Sequence, residues 1–479
     1  MKRRFLTLAV LAGLSFASCS DDHLDTHVSY YFSEEDMTDL ANSNPESALI
    51  LSLGSEGGNN FFLNDFNTSG NGNYHDDFGH MAVNYGTDLM SNDNTMTQSN
   101  WGIQYYNYTA RVETSLRTDM VWKFYYKVIY NMNQGLGFAP ANATSTDILH
   151  VRGRMLAMRA FAYQYLVQLY ANGEEGVPLL TNESMNFSRA ATSDVKARIE
   201  ADLLEAHQLL TGYSRTAKTL IDKNVVSGLL ARFYLTEGNY AAAAQYAAEA
   251  RQGYAPMATV NDGFNKITNT EWMWGADINS TTTTYYASFF SQIGNLNPGY
   301  AGLLESYKCV DKRIYDAIPA TDKRKQWFTA ATNPYGLPQY ANVKFVDDTQ
   351  FEGDYVFMRA AEMYLIEAEA KAKLGDNAGA QQALLALVSV RDAAYTGTTL
   401  TGDLLVEEIL KHRKIELWGE GFAFYDMKRL QKPLERDYPG TNHIVNGMFN
   451  YPANSTKFTF QIPIAELNAN AEITTQNPL

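Results

Sequence analysis

The stretch KNVVSGLLARFYLTEGNYAAAAQYAAEARQ, residues 223–252, decides the fold, because it reads as two helices separated by a short Glu-Gly-Asn break. Small residues allow the two helices of a hairpin to approach closely, and large residues fill the groove of the neighbouring helix. The spacing of small and large residues predicts a tetratricopeptide-like hairpin, with its signature positions at Ala231, Tyr234, Gly238, Tyr240, Ala243, Ala247 and Ala250.

The same spacing fits a second stretch more loosely: EMYLIEAEAKAKLGDNAGAQQALLALVSVR, residues 362–391. Two further helix pairs are indicated by apolar periodicity, 147–170 with 194–210 and 404–418 with 421–430. We therefore predict a mostly α fold with four tetratricopeptide-like helical hairpins, a few short strands and loop-rich insertions. The alternative is that alanine-rich helix pairs imitate the repeat by chance.

The hairpins are not contiguous in the sequence. Residues 42–108 are rich in Asn, Gly, Ser and aromatic residues, with no sustained helical period, which predicts a loop-rich insertion. A second, irregular insertion with partial strand character follows the first hairpins. We predict a single structural unit over 19–479, with these two insertions at 42–108 and 254–354, hairpins at 147–253 and 355–432, and a C-terminal segment at 433–479.

The first residues, MKRRFLTLAVLAGLSFAS, combine a basic head with an apolar run that is too short to span a bilayer, for which roughly 20 residues are needed. They predict a signal peptide at 1–18. Its end resembles a bacterial lipobox, which makes Cys19 the expected lipidation site and membrane anchor. The Ser-Asp-Asp that follows resembles the surface-export signal of Bacteroidetes lipoproteins. The alternative is an ordinary signal peptide that happens to contain a cysteine.

Charge and cysteine content exclude several classes of protein. The formal net charge is −15, and an acidic surface repels phosphates, so nucleic acid is not an expected partner. The chain has two cysteines, and acylation of Cys19 would leave Cys309 alone. No disulfide framework is therefore expected within one chain.

Four stretches carry a family pattern. They are VRGRMLAMRAFAYQYLVQLYANGEEGVPLL (151–180), RAAEMYLIEAEAKAKLGD (359–376), ILKHRKIELWGEGFAFYDMKRL (409–430) and FTFQIPIAELNANAEITTQNPL (458–479). Together they resemble the SusD/RagB outer-membrane nutrient-binding lipoproteins. His412 departs from the pattern where Glu is usual, and Ala423 where Arg is common.

This resemblance implies a lipid-anchored protein of the outer membrane, exposed at the cell surface. Such a protein captures an oligosaccharide, without cleaving it and without a cofactor, and a partner TonB-dependent transporter (SusC-like) imports the sugar. Pairing or helix capping, and hence a scaffold role, is expected for the charged residues of the third stretch: Glu416, Glu420, Asp426, Lys428 and Arg429.

No catalytic signature is present: the sequence lacks a G-x-S-x-G elbow, an H-E-x-x-H pair, a P-loop and a G-x-G-x-x-G loop. Two alternatives stay open at this point. One is a tetratricopeptide-like lipoprotein that binds a peptide or protein. The other is a surface glycoside hydrolase, since paired carboxylates are abundant.

Two clusters contain metal-ligand residue types. His75, Asp76, Asp77 and His80 are expected in a solvated loop without fixed geometry. The second cluster, Asp347, Asp348, Glu352 and Asp354, lacks the residue order of an EF-hand. We therefore predict no metal site.

A sugar ring has an apolar CH face, which suits an aromatic ring, and a rim of hydroxyls, which suits amides and carboxylates. SNDNTMTQSNWGIQYYNY (91–108) offers such a combination and predicts ligand contacts at Trp101, Asn100, Asp93 and Tyr105. NSTTTTYYASFFSQIGNLNPGY (279–300) offers another, at Tyr285, Tyr286 and Asn279. Burial in the core is the alternative for each aromatic residue. We expect it for four other tryptophans: Trp122, Trp272, Trp274 and Trp418.

Overall fold

The computed structural model describes residues 33–62 and 75–479, so the predicted signal peptide and Cys19 lie outside the described residues. The described chain is mostly helical. Among these residues, no helix has both the length and the apolar composition needed to cross a membrane. The helices of the first half are α1 (Glu34–Ser43), α2 (Pro45–Phe62), α3 (His80–Leu89), α4 (Ile103–Tyr106), α5 (Leu116–Phe138), α6 (Thr146–Tyr170), α7 (Thr192–Leu209), α8 (Lys223–Thr236) and α9 (Tyr240–Ala250).

The second half begins with short elements and ends with the remaining long helices. Its helices are α10 (Phe289–Ile293), α11 (Tyr300–Leu303), α12 (Lys312–Ala317), α13 (Ala360–Lys373), α14 (Asn377–Arg391), α15 (Gly402–Glu416), α16 (Ala423–Arg429) and α17 (Ile464–Ala469). Short 3₁₀ turns lie at Thr109–Arg111, Lys323–Trp327, Val445–Gly447 and Thr456–Phe458.

The strands of the described residues form four separate antiparallel pairs. The pair β1–β5 joins the two insertions, because Asn94 lies opposite Val310 and Met96 opposite Lys308. The strands are β1 (Asn94–Met96), β2 (Glu175–Leu180), β3 (Met185–Ala191), β4 (Trp272–Ala276), β5 (Lys308–Val310), β6 (Tyr355–Arg359), β7 (Leu434–Glu435) and β8 (Asn450–Tyr451). The remaining pairs are β2–β3, β4–β6 and β7–β8.

The predicted hairpins are confirmed, and local chemistry explains their boundaries. Helix α9 is capped by Asn239, whose side chain accepts a hydrogen bond from Ala242 N, and α14 is capped in the same way by Asp376. Gly238, between α8 and α9, has φ +73°, a left-handed conformation that glycine adopts without strain. Helix α9 packs on α13, so the two halves of the scaffold are continuous in space despite the long insertion between them.

The segment 42–108 differs from the loop-rich structure expected of it, because it contains α2, α3 and α4. Every residue of α3 is buried. A helix that is covered on all sides needs no amphipathic period, so the pattern on which the prediction relied is absent from it. The predicted interior positions of the four tryptophans are confirmed: Trp122, Trp272, Trp274 and Trp418 are at most 3% exposed.

The centre of the scaffold contains a buried group of charges, here called the ion-pair cluster. Glu416 lies within 3.0 Å of guanidinium nitrogens of Arg324, Arg359 and Arg391. Burial raises the pKa of Glu416, but these three arginines outweigh it and hold the pKa well below its usual value. The other members of the cluster are Glu271, Asp322, Lys344 and Glu420.

The ion-pair cluster joins the central insertion to α13, α14 and α15, which agrees with the scaffold role expected of the third family stretch. The pairings are more distant in sequence than expected, since Glu416 and Glu420 pair with arginines of other elements. Asp426 and Arg429 do pair with each other, at 2.7 Å. Lys428 instead donates a hydrogen bond to the main-chain carbonyl of Gln168.

Candidate functional site

Aromatic side chains from both insertions meet at the surface. The ring centroid of Tyr300 lies 5.4 Å from that of Trp101 and 5.8 Å from that of Tyr286. The His75 ring stacks on Trp101 at 5.3 Å with an interplanar angle of 14°. Phe351 packs beneath Tyr286 at 5.4 Å. We call His75, Trp101, Tyr286, Tyr300 and Phe351 the aromatic cluster.

The loop that carries Trp101 follows β1 and is held by hydrogen bonds to main-chain carbonyls of the segment just before β5. Thr97 N donates to the carbonyl of Tyr307 at 3.1 Å, and the Thr97 hydroxyl donates to the carbonyl of Glu305 at 2.6 Å. The Tyr85 hydroxyl donates to the carbonyl of Trp101 itself at 3.3 Å. The backbone is therefore fixed from both sides, while the indole ring remains half-exposed.

A buried amine lies below this loop. Lys308 on β5 is 1% exposed, and its Nζ donates to the carbonyl of Ser306 at 2.5 Å. The Ser306 hydroxyl in turn donates to the carbonyl of Gln98, in the Trp101 loop. Burial lowers the pKa of Lys308 to about 7. The loop that carries Trp101 therefore packs against a buried polar group formed by Ser306 and Lys308.

The second predicted segment forms a compact turn beside the cluster. The carbonyl of Asn279 accepts hydrogen bonds from Thr282 N and Thr283 N, and the Thr283 hydroxyl donates to the carbonyl of Phe351 at 2.6 Å. Tyr285 is 54% exposed and Tyr286 is 47% exposed. The structure therefore brings Trp101 and Tyr286 onto one surface, with Tyr300 between them.

Other predicted residues have different positions. Asn100 stays beside Trp101, and its side-chain oxygen accepts a hydrogen bond from Trp101 N at 2.8 Å. Asn279 is exposed. Tyr105 has no exposed surface, because α4 turns its ring onto Gly86 of α3, where a Cβ atom would lie 2.6 Å from that ring. Asp93 is also buried and lines a separate cavity. Neither Tyr105 nor Asp93 is therefore part of the aromatic cluster.

Three residues of the cluster, His75, Tyr300 and Phe351, are not identified from the sequence as ligand contacts. Tyr300 ends the quoted segment 279–300, but the Asn-Pro-Gly before it indicates only a turn. From the sequence, His75 is considered only as a metal ligand, whereas in the structure its imidazole forms a hydrogen bond with the hydroxyl of Tyr300. The only feature of the sequence that points to these residues as ligand contacts is an aromatic side chain near a turn within an insertion.

The prediction of a solvated loop around His75 is wrong, because Asp76, Asp77 and His80 are at most 2% exposed. Asp76 pairs with Arg117 at 2.6 Å. The His80 ring is enclosed by aromatic rings, and its Nδ1 lies 3.1 Å from the hydroxyl of Tyr125. This burial lowers the pKa of His80 to about 3.

The acidic cluster near residue 350 is used in turns. The carboxylate of Asp354 accepts hydrogen bonds from Ile267 N at 2.7 Å and Ile278 N at 2.9 Å. Burial raises its pKa, and these two bonds partly oppose that rise. In the part of the chain that the structure describes, no three His, Cys, Asp or Glu side chains are grouped closely enough to hold a metal ion.

The arrangement suits a ligand with flat apolar faces and a polar edge. The rings of Trp101 and Tyr286 offer the faces, and the exposed amides of Asn279 and Gln98 lie in the same two segments. Ring stacking of this kind is stabilised by apolar burial and tolerates many edge patterns.

Two family models match the sequence. One is described as the SusD family and matches residues 232–479. The other is described as "Starch-binding associating with outer membrane" and matches residues 67–235. Together they cover residues 67–479, which include part of the first insertion, the whole of the second and all four hairpins. None of the curated protein sequences compared matches this one.

Solved structures share the fold over nearly the whole chain. A SusD-like carbohydrate binding protein from Bacteroides vulgatus is 26% identical, with a TM-score of 0.76, over 93% of this chain and 98% of that one. A SusD superfamily protein from Bacteroides thetaiotaomicron is 19% identical, with a TM-score of 0.73, over 91% and 99%. A laminarin binding SusD-like protein is 22% identical, with a TM-score of 0.65, over 83% and 94%.

Proposed function

We propose that this chain, which belongs to the SusD family, captures an oligosaccharide on the aromatic cluster at the outer surface of the cell. The observation that carries the proposal is the position of Tyr300 between Trp101 and Tyr286, at 5.4 and 5.8 Å. Two insertions that are far apart in the sequence thereby contribute to one exposed aromatic surface.

Several physical features support a sugar as the ligand. Each stacked pyranose ring would contribute on the order of 1–2 kcal/mol through apolar burial. Two rings would therefore contribute about 2–4 kcal/mol, which corresponds to a dissociation constant of roughly 1 mM or weaker, and hydrogen bonds to the hydroxyl rim would account for any tighter binding. The names of two of the solved structures above, a carbohydrate binding and a laminarin binding protein, agree with this ligand class.

The capture step would precede import. In this proposal Cys19 carries the lipid that holds the protein at the outer membrane, and a TonB-dependent transporter receives the sugar. The family model named for outer-membrane association supports this location. The protein would release its ligand unchanged, since the aromatic cluster consists of rings and does not include the pair of carboxylates that a glycosidase places on either side of the bond it cleaves.

The experiment is a binding screen of the full-length protein against a panel that includes starch and laminarin oligosaccharides, measured by calorimetry. We expect at least one glycan to bind, and Trp101→Ala to weaken it by about 5- to 30-fold. The matched control is Tyr335→Ala, which removes an exposed ring outside the cluster (52% exposed) and should leave the affinity unchanged.

Two results would contradict the proposal. One is equal affinity of the Trp101→Ala variant and the unmodified protein for the best glycan. The other is release of new reducing ends during incubation, which would favour the hydrolase. If no glycan binds while a protein partner does, the peptide-binding or protein-binding alternative is favoured.

A further inference from the structure

A second cavity, of about 440 Å³, lies between α12, α15 and the loop after α16. It shares no lining residue with the aromatic cluster. Its floor is apolar, and its volume falls in the range of small-molecule sites. The apolar lining residues are Ile314, Ala317, Leu410, Ile415, Leu430 and Pro433.

Asp93 is the unusual residue of this cavity. Its main chain is fully engaged, because its carbonyl accepts hydrogen bonds from the Trp418 indole at 3.0 Å and from Asp311 N at 2.9 Å. Its carboxylate is 7% exposed, and the nearest cation, Lys414 Nζ, is 3.9 Å away, beyond hydrogen-bond distance. Among the described residues, no hydrogen-bond donor to this carboxylate is present.

A buried carboxylate that has a cation nearby but no hydrogen-bond donor is costly, and a charged donor that binds it reduces this cost. Burial raises the pKa of Asp93, and Lys414 partly opposes that rise. The cavity wall therefore holds an acceptor whose hydrogen-bonding capacity is unused by the protein. A ligand that supplies N–H donors with a positive charge fits this acceptor best.

The charges around the cavity indicate what else the ligand carries. Four carboxylates and four cations line it, so the wall is neutral in sum, and Asp311 already pairs with Arg313 at 3.0 Å. A simple anion would be repelled by Asp93, and a simple cation by Lys414. The charged residues are Asp93, Asp311, Glu407, Glu435, Arg313, Lys411, Lys414 and Lys432.

We propose that this cavity binds a free aliphatic α-amino acid. Its ammonium group donates hydrogen bonds to Asp93, its carboxylate lies against Lys414, and its side chain packs on Leu410 and Ile415. An α-amino acid carries its ammonium and carboxylate groups on the same carbon atom, which suits an acceptor and a cation that are 3.9 Å apart. The volume left over accommodates bridging waters.

The first test is calorimetric titration of the full-length protein with L-leucine and two analogues. The amine 3-methylbutylamine lacks the carboxylate, and 4-methylpentanoate lacks the ammonium group. We expect leucine to bind, and the affinity of each analogue to be at least about 10-fold lower than that of leucine. Absence of leucine binding, or an analogue that binds as well as leucine, would overturn the proposal.

The second test uses variants. Asp93→Asn keeps the shape but removes the charge, and should weaken leucine binding by roughly 10- to 100-fold. The control Asp403→Asn changes an exposed carboxylate at the start of α15 and should have no effect. Leu410→Phe fills the cavity and should abolish binding, which keeps the proposal testable if Asp93→Asn does not fold.

Retained glycan binding by both cavity variants would show that they are folded. Unchanged leucine affinity in a folded Asp93→Asn or Leu410→Phe variant would overturn the site. Because the aromatic cluster and this cavity share no residues, failure here leaves the proposed glycan capture standing.

Discussion

The ion-pair cluster and the aromatic cluster differ in how their side chains are held. Glu416 is fully buried and bonds to three arginines from three parts of the chain. Trp101 is fixed through its backbone, while its ring packs against the rings of His75 and Tyr300. The first arrangement stabilises one geometry of the scaffold, and the second leaves ring surface available to a ligand.

In this fold, structural stability and ligand contact depend on different kinds of residue. The charged residues of the family pattern, such as Glu416 and Glu420, are buried and form ion pairs with other buried side chains. Their role is therefore to stabilise the scaffold. The residues that can meet a ligand lie on turns of the insertions, where the backbone is anchored but the side chains are exposed. Substitutions should therefore separate the two clusters by their effects.

The largest effect is expected from Glu416→Gln. This substitution removes the charge that Arg324, Arg359 and Arg391 share. The remaining carboxylates, Asp322, Glu271 and Glu420, then leave one buried positive charge of the ion-pair cluster uncompensated. We expect a loss of about 3–5 kcal/mol in the free energy of unfolding, measured by urea denaturation. The exposed Glu472→Gln should change it by less than about 0.5 kcal/mol. Similar stabilities of the two variants would contradict the scaffold role.

A pH effect comes next in size and tests the buried core. His80 has its pKa lowered from 6.5 to about 3, so the unfolded chain binds a proton that the folded protein does not. Stability should therefore be complete above pH 6.5 and fall as the pH drops towards 3. From this one group we expect a loss of about 2 kcal/mol between pH 7 and pH 5.

The measurement is denaturation at several pH values with His80→Gln, which cannot titrate. Its stability at pH 7 falls, since packing and a hydrogen bond change, but its dependence on pH between 7 and 5 should be weaker by about 2 kcal/mol. The control is His150→Gln, at a half-buried histidine that packs on Tyr213. Parallel pH profiles for His80→Gln and the unmodified protein would refute the assignment.

The smallest effects are expected on glycan affinity, from substitutions of the two neighbouring tyrosines Tyr285 and Tyr286. Tyr286 packs on Tyr300 and Phe351, whereas its neighbour Tyr285 makes no ring contact with any of the described residues. Tyr286→Ala should weaken glycan binding by roughly 5-fold, and Tyr285→Ala by about 2-fold or less. Calorimetry on the best glycan measures both. The reverse order would move the binding surface away from Tyr300.

Much of the scaffold follows from local sequence. The hairpin α8–α9 depends on alanines that recur along one face and on a glycine at the turn, and both are visible in a short window. Helix α3 was missed because it is covered on all sides and carries Asn and Gly, residues that are typical of loops.

The candidate site was predictable only in part. Trp101 and Tyr286 were identified from aromatic residues next to amides, and the structure does place them on one surface. Tyr105 and Asp93 lie within eight positions of Trp101 in the sequence, yet one packs on α3 and the other faces a different cavity. Neighbours in sequence are separated wherever a short helix or a strand end turns the chain.

The sequence by itself determined the helical hairpins, the family and the two insertions that carry the candidate ligand residues, because these depend on short-range spacing and composition. Only the tertiary structure decided which rings meet, since Trp101 and Tyr300 are brought together by the pairing of β1 with β5, more than two hundred residues apart. It also decided that the carboxylate of Asp93 has no hydrogen-bond donor among the described residues, because burial and the positions of neighbouring cations are properties of the packed chain.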